Sequence, residues 1–245
     1  MNNIDPLDQP ILPKKSNKKR FIILTIILGV VTALAGLTFL LLKTDPPLPP
    51  PEPDSIREKP IIYLYPEQTT KIQVQLNYNG ELTTTYPKYD IQKGWTVEAQ
   101  PNGTLLDLTT QKEYYGLYWE GVDNQSFDLS TGFVVKGEES ARFLDEKLAQ
   151  LGLSRREANE FIVYWLPQME KNKYNLIHFA QEDYRALAQL KISPQPETLI
   201  RVFMVLQPLE KRIDAPKQDL PTVERKGFTV VEWGGTEYPK KVEYE

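Results

Sequence analysis

The sequence predicts an α+β fold: a single domain with a largely antiparallel sheet and a central helical hairpin, behind one N-terminal transmembrane helix and a proline-rich stalk. Three observations predict it. A run of 22 positions without an ionisable group lies near the N-terminus, β-favouring alternation occupies both ends of the remaining chain, and apolar residues at helical spacing fill its middle.

Residues 21–42, FIILTIILGVVTALAGLTFLLL, would span about 33 Å as a helix, enough to cross a hydrocarbon core. Lys14, Lys15, Lys18, Lys19 and Arg20 precede the run, whereas only Lys43 follows it closely. The positive-inside rule therefore expects residues 1–20 as a cytoplasmic tail, 21–42 in the lipid bilayer, and the remainder outside: a single-pass protein of the cell membrane. A cleaved signal peptide is the competing expectation, since Ala33-Leu34-Ala35 offers a small-x-small site. The apolar run continues for seven residues past that site, which favours an uncleaved anchor. Residues 43–59 then form the expected stalk. The string DPPLPPPEPDSIREKP, from Asp45 to Pro60, carries seven prolines and favours extended polyproline II, about 3.1 Å per residue.

The expected extracytoplasmic domain covers residues 60–245. It holds all 4 Trp and all 13 Tyr of the chain, ample material for a core. Ile61-Ile62-Tyr63-Leu64-Tyr65 is a β-favouring run closed by Pro66, and Ile72, Val74, Leu76 and Tyr78 alternate with polar residues. Asn79-Gly80 then reads as a type I′ hairpin turn into Leu82 to Tyr86, and Pro101-Asn102-Gly103 as a second turn between 95–99 and 104–108. Residues 114–120 and 133–135 supply further strands. Helical spacing begins with Leu144, Leu148 and Leu151, and Gly152 stands where a helix would stop. Ser154 with Glu157 forms a capping box ahead of Ala158, Phe161, Ile162, Trp165 and Leu166, and Pro167 should kink or end that helix. A third helix is expected over 182–190, and strands over 199–206 and 227–235.

The strings KPIIYLYPE (59–67), YWEG (118–121) and ERKGFTVVEWGG (224–235) resemble those of a family of uncharacterised, mainly bacterial proteins. The resemblance covers most of residues 59–235. It implies no activity, cofactor or assigned site, so chemistry must be argued from the residues.

Composition excludes much. With no Cys there is no thiol nucleophile, disulfide or thiolate metal site, and with one His there is no histidine cluster. Residues 1–43 hold 6 basic and 2 acidic side chains of the chain's 29 and 33, so the rest is net −8, which speaks against a nucleic-acid partner. His178 lies in a short apolar run without a nucleophile motif nearby. The loop from Asp123 to Asp128 is rich in oxygens but lacks the glycine and terminal Glu of a calcium loop. No cofactor and no metal is expected.

Glu120 and Glu232 each lie beside a Trp at the end of an apolar run, just before glycine. Two such carboxylates flanking a sugar could act as acid and as nucleophile or base. Trp95, Trp119, Trp233, Tyr118 and Tyr63, with Tyr65 and Tyr115, are the candidate ligand-binding platform. Against this stands Arg201, embedded in an apolar strand, which requires a carboxylate partner if buried. The leading expectation is a membrane-anchored extracytoplasmic binding protein, associated with the cell envelope, whose partner is a glycan or another protein. The alternatives are a glycan hydrolase using Glu120 and Glu232, and a structural subunit of a membrane complex.

Overall fold

A computed structural model of the protein describes residues 55–238. The expected cytoplasmic tail (1–20), the transmembrane helix (21–42) and stalk residues 43–54 lie outside them. Among the described residues no helix is long and apolar enough to cross a membrane.

The domain is α+β, in three layers. Its middle layer is a seven-stranded sheet in the order β3-β7-β1-β12-β11-β9-β8. These strands are β1 (Ser55–Tyr65), β3 (Glu81–Tyr86), β7 (Leu117–Asp123), β8 (Phe133–Lys136), β9 (Tyr174–Phe179), β11 (Thr198–Leu209) and β12 (Thr229–Glu237). All its ladders are antiparallel except β11 with β12. A second sheet, β10-β2-β4-β5-β6, covers one face of the first. It comprises β2 (Thr70–Tyr78), β4 (Trp95–Ala99), β5 (Leu105–Asp107), β6 (Glu113–Tyr114) and β10 (Ala188–Ser193). The other face is covered by α1 (Ser140–Gln150) and α2 (Arg155–Met169), while the short α3 (Gln181–Leu187) packs on the side of the second sheet.

A sheet covered on both faces needs strands apolar on both faces, and the central strands are. Along β11, Ile200, Val202, Met204 and Leu206 join the core beneath the helices, and Phe203 and Val205 join the core between the sheets. Ile61 and Tyr63 divide from Ile62 and Leu64 in the same way along β1. That double coverage explains why these segments lack simple alternation.

The helical hairpin forms as its signals predict. Ser154 Oγ accepts from the Glu157 N–H while the Glu157 carboxylate accepts from the Ser154 N–H, closing the capping box. Gly152 ends the preceding helix at φ +90°, a conformation that side chains resist. Pro167 does not end α2, which runs on to Met169. The carbonyl deprived of a partner would be that of Val163, whose residue is 75 % exposed, so water can satisfy it.

Other expectations are corrected. The sheet is two sheets. β1 begins at Ser55, so residues 55–59 of the expected stalk belong to the domain and pair with β7 and β12. Asn79-Gly80 makes no hairpin: β2 pairs with β4 and β10, whereas β3 pairs with β7 in the other sheet. The chain crosses between layers there. The expected strand at 114–120 is likewise broken at Tyr115-Gly116 into β6 and β7, one in each sheet. The third helix stops at Leu187 and the chain continues as β10, while the run around His178 is β9. The turn at 101–103 does join β4 to β5, with Gly103 at φ +88°.

Candidate functional site: a tyrosine-lined pocket

Glu120 and Glu232 occupy opposite faces of the seven-stranded sheet. Glu232 lies between the two sheets, directly across the parallel ladder from Arg201. Arg201 Nε donates to its Oε2 at 2.6 Å and Trp119 Nε1 donates to its Oε1 at 3.0 Å. Neither ion-pair side chain is more than 2 % exposed. Desolvation works against the charge on Arg201, and Glu232 with Tyr184 more than offsets it, so the guanidinium titrates above its ordinary range. Arg201 also lies 4.6 Å from the centre of the Tyr184 ring. A carboxylate held this way cannot reach a sugar. Glu232 is the partner that Arg201 requires, and the expected catalytic pair with Glu120 is corrected on that ground.

Glu120 projects from the helix-covered face and is half-buried. The N–H of Lys59 donates to its Oε1 at 3.4 Å, with the Tyr118 hydroxyl beside it. Burial first, then Glu120, pushes that hydroxyl well above its usual range. Lys59 sits at a bulge in β1 with φ +62°, and its ammonium lies 5.4 Å from the Tyr164 ring centre. Tyr164 in turn donates to Glu58 at 2.7 Å.

The tryptophans of the expected platform are core residues. Trp95, Trp119 and Trp233 are 2 %, 0 % and 1 % exposed, and Trp95 donates to the Pro87 carbonyl at 2.8 Å. No sugar can stack on them. Trp119 and Trp233 are packing material because the middle sheet is covered on both faces, and Trp95 because it faces the core between the two sheets. His178 is also engaged, its Nδ1 lying 2.9 Å from the Thr131 carbonyl oxygen. In the expected oxygen-rich loop, Asp123 is buried and bound by Arg57, by Tyr78 and by the Gln125 N–H. Among the described residues no group of three or more His, Asp or Glu is placed to hold a metal ion.

The tyrosines are graded: Tyr63 is itself a core residue, 3 % exposed, Tyr65 is half-buried and Tyr115 is exposed. Tyr63, Tyr65 and Tyr115 converge at the C-terminal end of β1 around a pocket of about 100 Å³ that also takes in Asn102, Gly103, Thr104 and Arg156. Tyr63 and Tyr65, two positions apart on one strand, present parallel rings with centres 6.4 Å apart. The Tyr115 ring stands 6.4 Å from Tyr63 at 42° and is 55 % exposed. The floor is polar: the Tyr63 hydroxyl donates to Glu160 Oε2 at 2.5 Å and accepts from Trp233 Nε1 at 3.2 Å. Burial and then Glu160 hold that hydroxyl far above its ordinary pKa. Arg156 lies 3.4 Å from the same carboxylate, one helical turn away. The turn forms the rim. Asn102 Oδ1 accepts from the Thr104 N–H, and Gly103 abuts the Tyr65 ring so closely that a Cβ there would lie 2.7 Å from it.

Sequence reasoning named Tyr63, Tyr65 and Tyr115 but missed Arg156, Glu160 and the 102–104 turn as their neighbours. The Arg156/Glu160 spacing of i, i+4 and the Asn-Gly-Thr turn were visible signals, though nothing local brings helix, turn and strand together.

No family model matches the chain, and no solved structure matches it. Over 64 residues it is 42 % identical to an uncharacterised protein in the bglA 3′ region of Butyrivibrio fibrisolvens. The match takes in 26 % of this chain and 65 % of that protein, so the chain spans just under two thirds of the relative's length. The name of that relative assigns it no activity.

Proposed function

We propose that the protein is a membrane-anchored binding protein that presents an extracytoplasmic α+β domain to a hydroxyl-rich ligand of the cell envelope, such as a sugar residue of a glycan. The observation that carries the reading is the convergence of Tyr63, Tyr65 and Tyr115 with Asn102, Thr104 and Arg156 on one small open pocket. Aromatic faces suit the C–H side of a sugar ring, and hydroxyl, amide and guanidinium groups suit its hydroxyls. At about 100 Å³ the pocket would hold part of one ring, so affinity would come from a chain end or a branch. The anchor at 21–42 supports the membrane location and the basic tail supports the orientation. The hydrolase alternative lacks support, because Glu232 is enclosed with Arg201.

The test is a calorimetric titration of the full chain in detergent micelles with cell-wall fragments and simple oligosaccharides, with product analysis alongside. Trp233, hydrogen-bonded to Tyr63 at the pocket floor, supplies a fluorescence signal. The expected outcome is saturable binding without cleavage, weakened at least tenfold in Tyr115→Ala with the melting temperature unchanged, because Tyr115 is largely exposed. Cleaved products would revive the enzyme, and silence towards every glycan would discard the sugar.

A further inference from the structure

A second cavity lies far from the tyrosine pocket, at the β8 edge of the seven-stranded sheet. Gly132, Phe133, Val134 and Val135 all line it, and consecutive strand residues point to opposite faces, so the cavity follows the edge of β8 rather than either face. From α1 it is lined by Phe143, Glu146 and Lys147, one side of the helix. Opposite β8 it is bounded by residues 212–217, part of the 19-residue connector between β11 and β12 that has neither helix nor strand. Connectors of that length in a compact domain are unusual and often functional. The Gly132 N–H donates to the Pro216 carbonyl at 2.8 Å and closes one end. Beyond that bond, β8 pairs only with β9, so its outer edge faces the cavity.

Size and charge identify an occupant. One strand residue between a neighbouring strand and flanking layers fills about 160 Å³, from spacings of roughly 3.3, 4.8 and 10 Å. The cavity, of about 640 Å³, has room for a short extended segment alongside the four residues of β8. Phe133 and Phe143, with ring centres 5.3 Å apart, supply an apolar wall, and Ile213 is 42 % exposed above it. The strap, residues 211–217 of that connector, carries Lys211, Arg212 and Lys217 against Asp214, and the cavity lining as a whole sets Lys147, Arg212 and Lys217 against Glu146 and Asp214, a net positive surface within a net-acidic region of chain. Arg212 and Lys217 have no ion-pair partner among the described residues.

We propose that this slot receives an extended segment of a partner protein, which adds as a strand to β8 with apolar side chains towards Phe133 and Phe143 and acidic ones towards Arg212 and Lys217. Main-chain hydrogen bonds would supply affinity and alternate side chains the selectivity. A second copy of this chain is a poorer occupant, since edge-to-edge pairing of two β8 strands would bring strap to strap and cation to cation.

The probes are two labelled hexapeptides, Glu-Val-Glu-Val-Glu-Val and Lys-Val-Lys-Val-Lys-Val, titrated against the full chain in micelles by fluorescence anisotropy. The acidic peptide should bind at least tenfold more tightly, slow amide exchange across residues 133–136, and lose that preference in Arg212→Glu/Lys217→Glu. Both strap positions are exposed, so the variant should melt as the parent does. Equal binding of the two peptides, no binding at 1 mM, or protection elsewhere would overturn the proposal. So would a doubled mass in light scattering with β8 amides protected before any peptide is added, because the slot would then belong to a second copy.

Discussion

Arg201 and Glu232 face each other because the parallel ladder sets residue 201 opposite residue 232 on the same face of the sheet. Removing one partner leaves a buried charge, and that cost exceeds what the pair itself contributes. Glu232→Ala should therefore lower stability by about 3–5 kcal/mol in urea unfolding, whereas Arg201→Met/Glu232→Leu together should fall within about 1–2 kcal/mol of the parent. A single variant costing under about 1 kcal/mol would mean that water reaches the pair. The need of Arg201 for a carboxylate was legible from its apolar neighbours in the sequence. The identity of that carboxylate was not, since Glu232 beside Trp233 and Gly234 looks locally the same as Glu120 beside Trp119 and Gly121. The two differ only in which layer lies above them, and that depends on elements far away in the chain.

Among the elements, those with signals inside their own span were the readable ones. The capping box at Ser154 and the leucine spacing before Gly152 define the helical hairpin, and both formed. Ser154→Ala should cost about 1 kcal/mol in thermal or urea unfolding, with α2 frayed at its first turn. No measurable loss would show that the buried Glu157 and its partner Arg225 hold that end unaided. Strand pairing was less readable. Asn79-Gly80 carries the dipeptide of a tight hairpin, yet Gly80 is needed for closeness: a Cβ there would lie 2.5 Å from the Val122 carbonyl oxygen as the chain changes sheets. Residues 188–190 look helical by spacing, but an open edge on β2 takes them as β10.

At the scale of the whole molecule, the tyrosine rings packed among the three layers set an alkaline limit to the stability of the domain. Tyr63, Tyr65, Tyr78, Tyr118, Tyr164 and Tyr184 all have hydroxyls held above their ordinary pKa, each chiefly by burial. A raised pKa means that the unfolded chain releases these protons first. Their contribution is therefore complete below about pH 10 and is lost as pH rises above it. Tyrosinate absorbance from these six should appear together with the loss of circular dichroism; ionisation near pH 10 with an intact spectrum would refute this. The α+β class was legible from composition and spacing, but the division into two sheets was not, because strand-changing turns carry the same residues as hairpins. One ladder has a further meaning. Among the described residues β12 is the strand that hydrogen-bonds to both β1 and β11, and the Thr236 hydroxyl donates to the Ile56 carbonyl 180 positions away. A chain leaving the ribosome presents β1 before β12 and must keep that edge open until residues 229–237 arrive. Half-made chains are thus two unjoined half-sheets with bare edges. The seven-stranded sheet can close only once β12 is available, so the facing edges of β1 and β11 should be most open to proteases and to other chains before residues 229–237 are made.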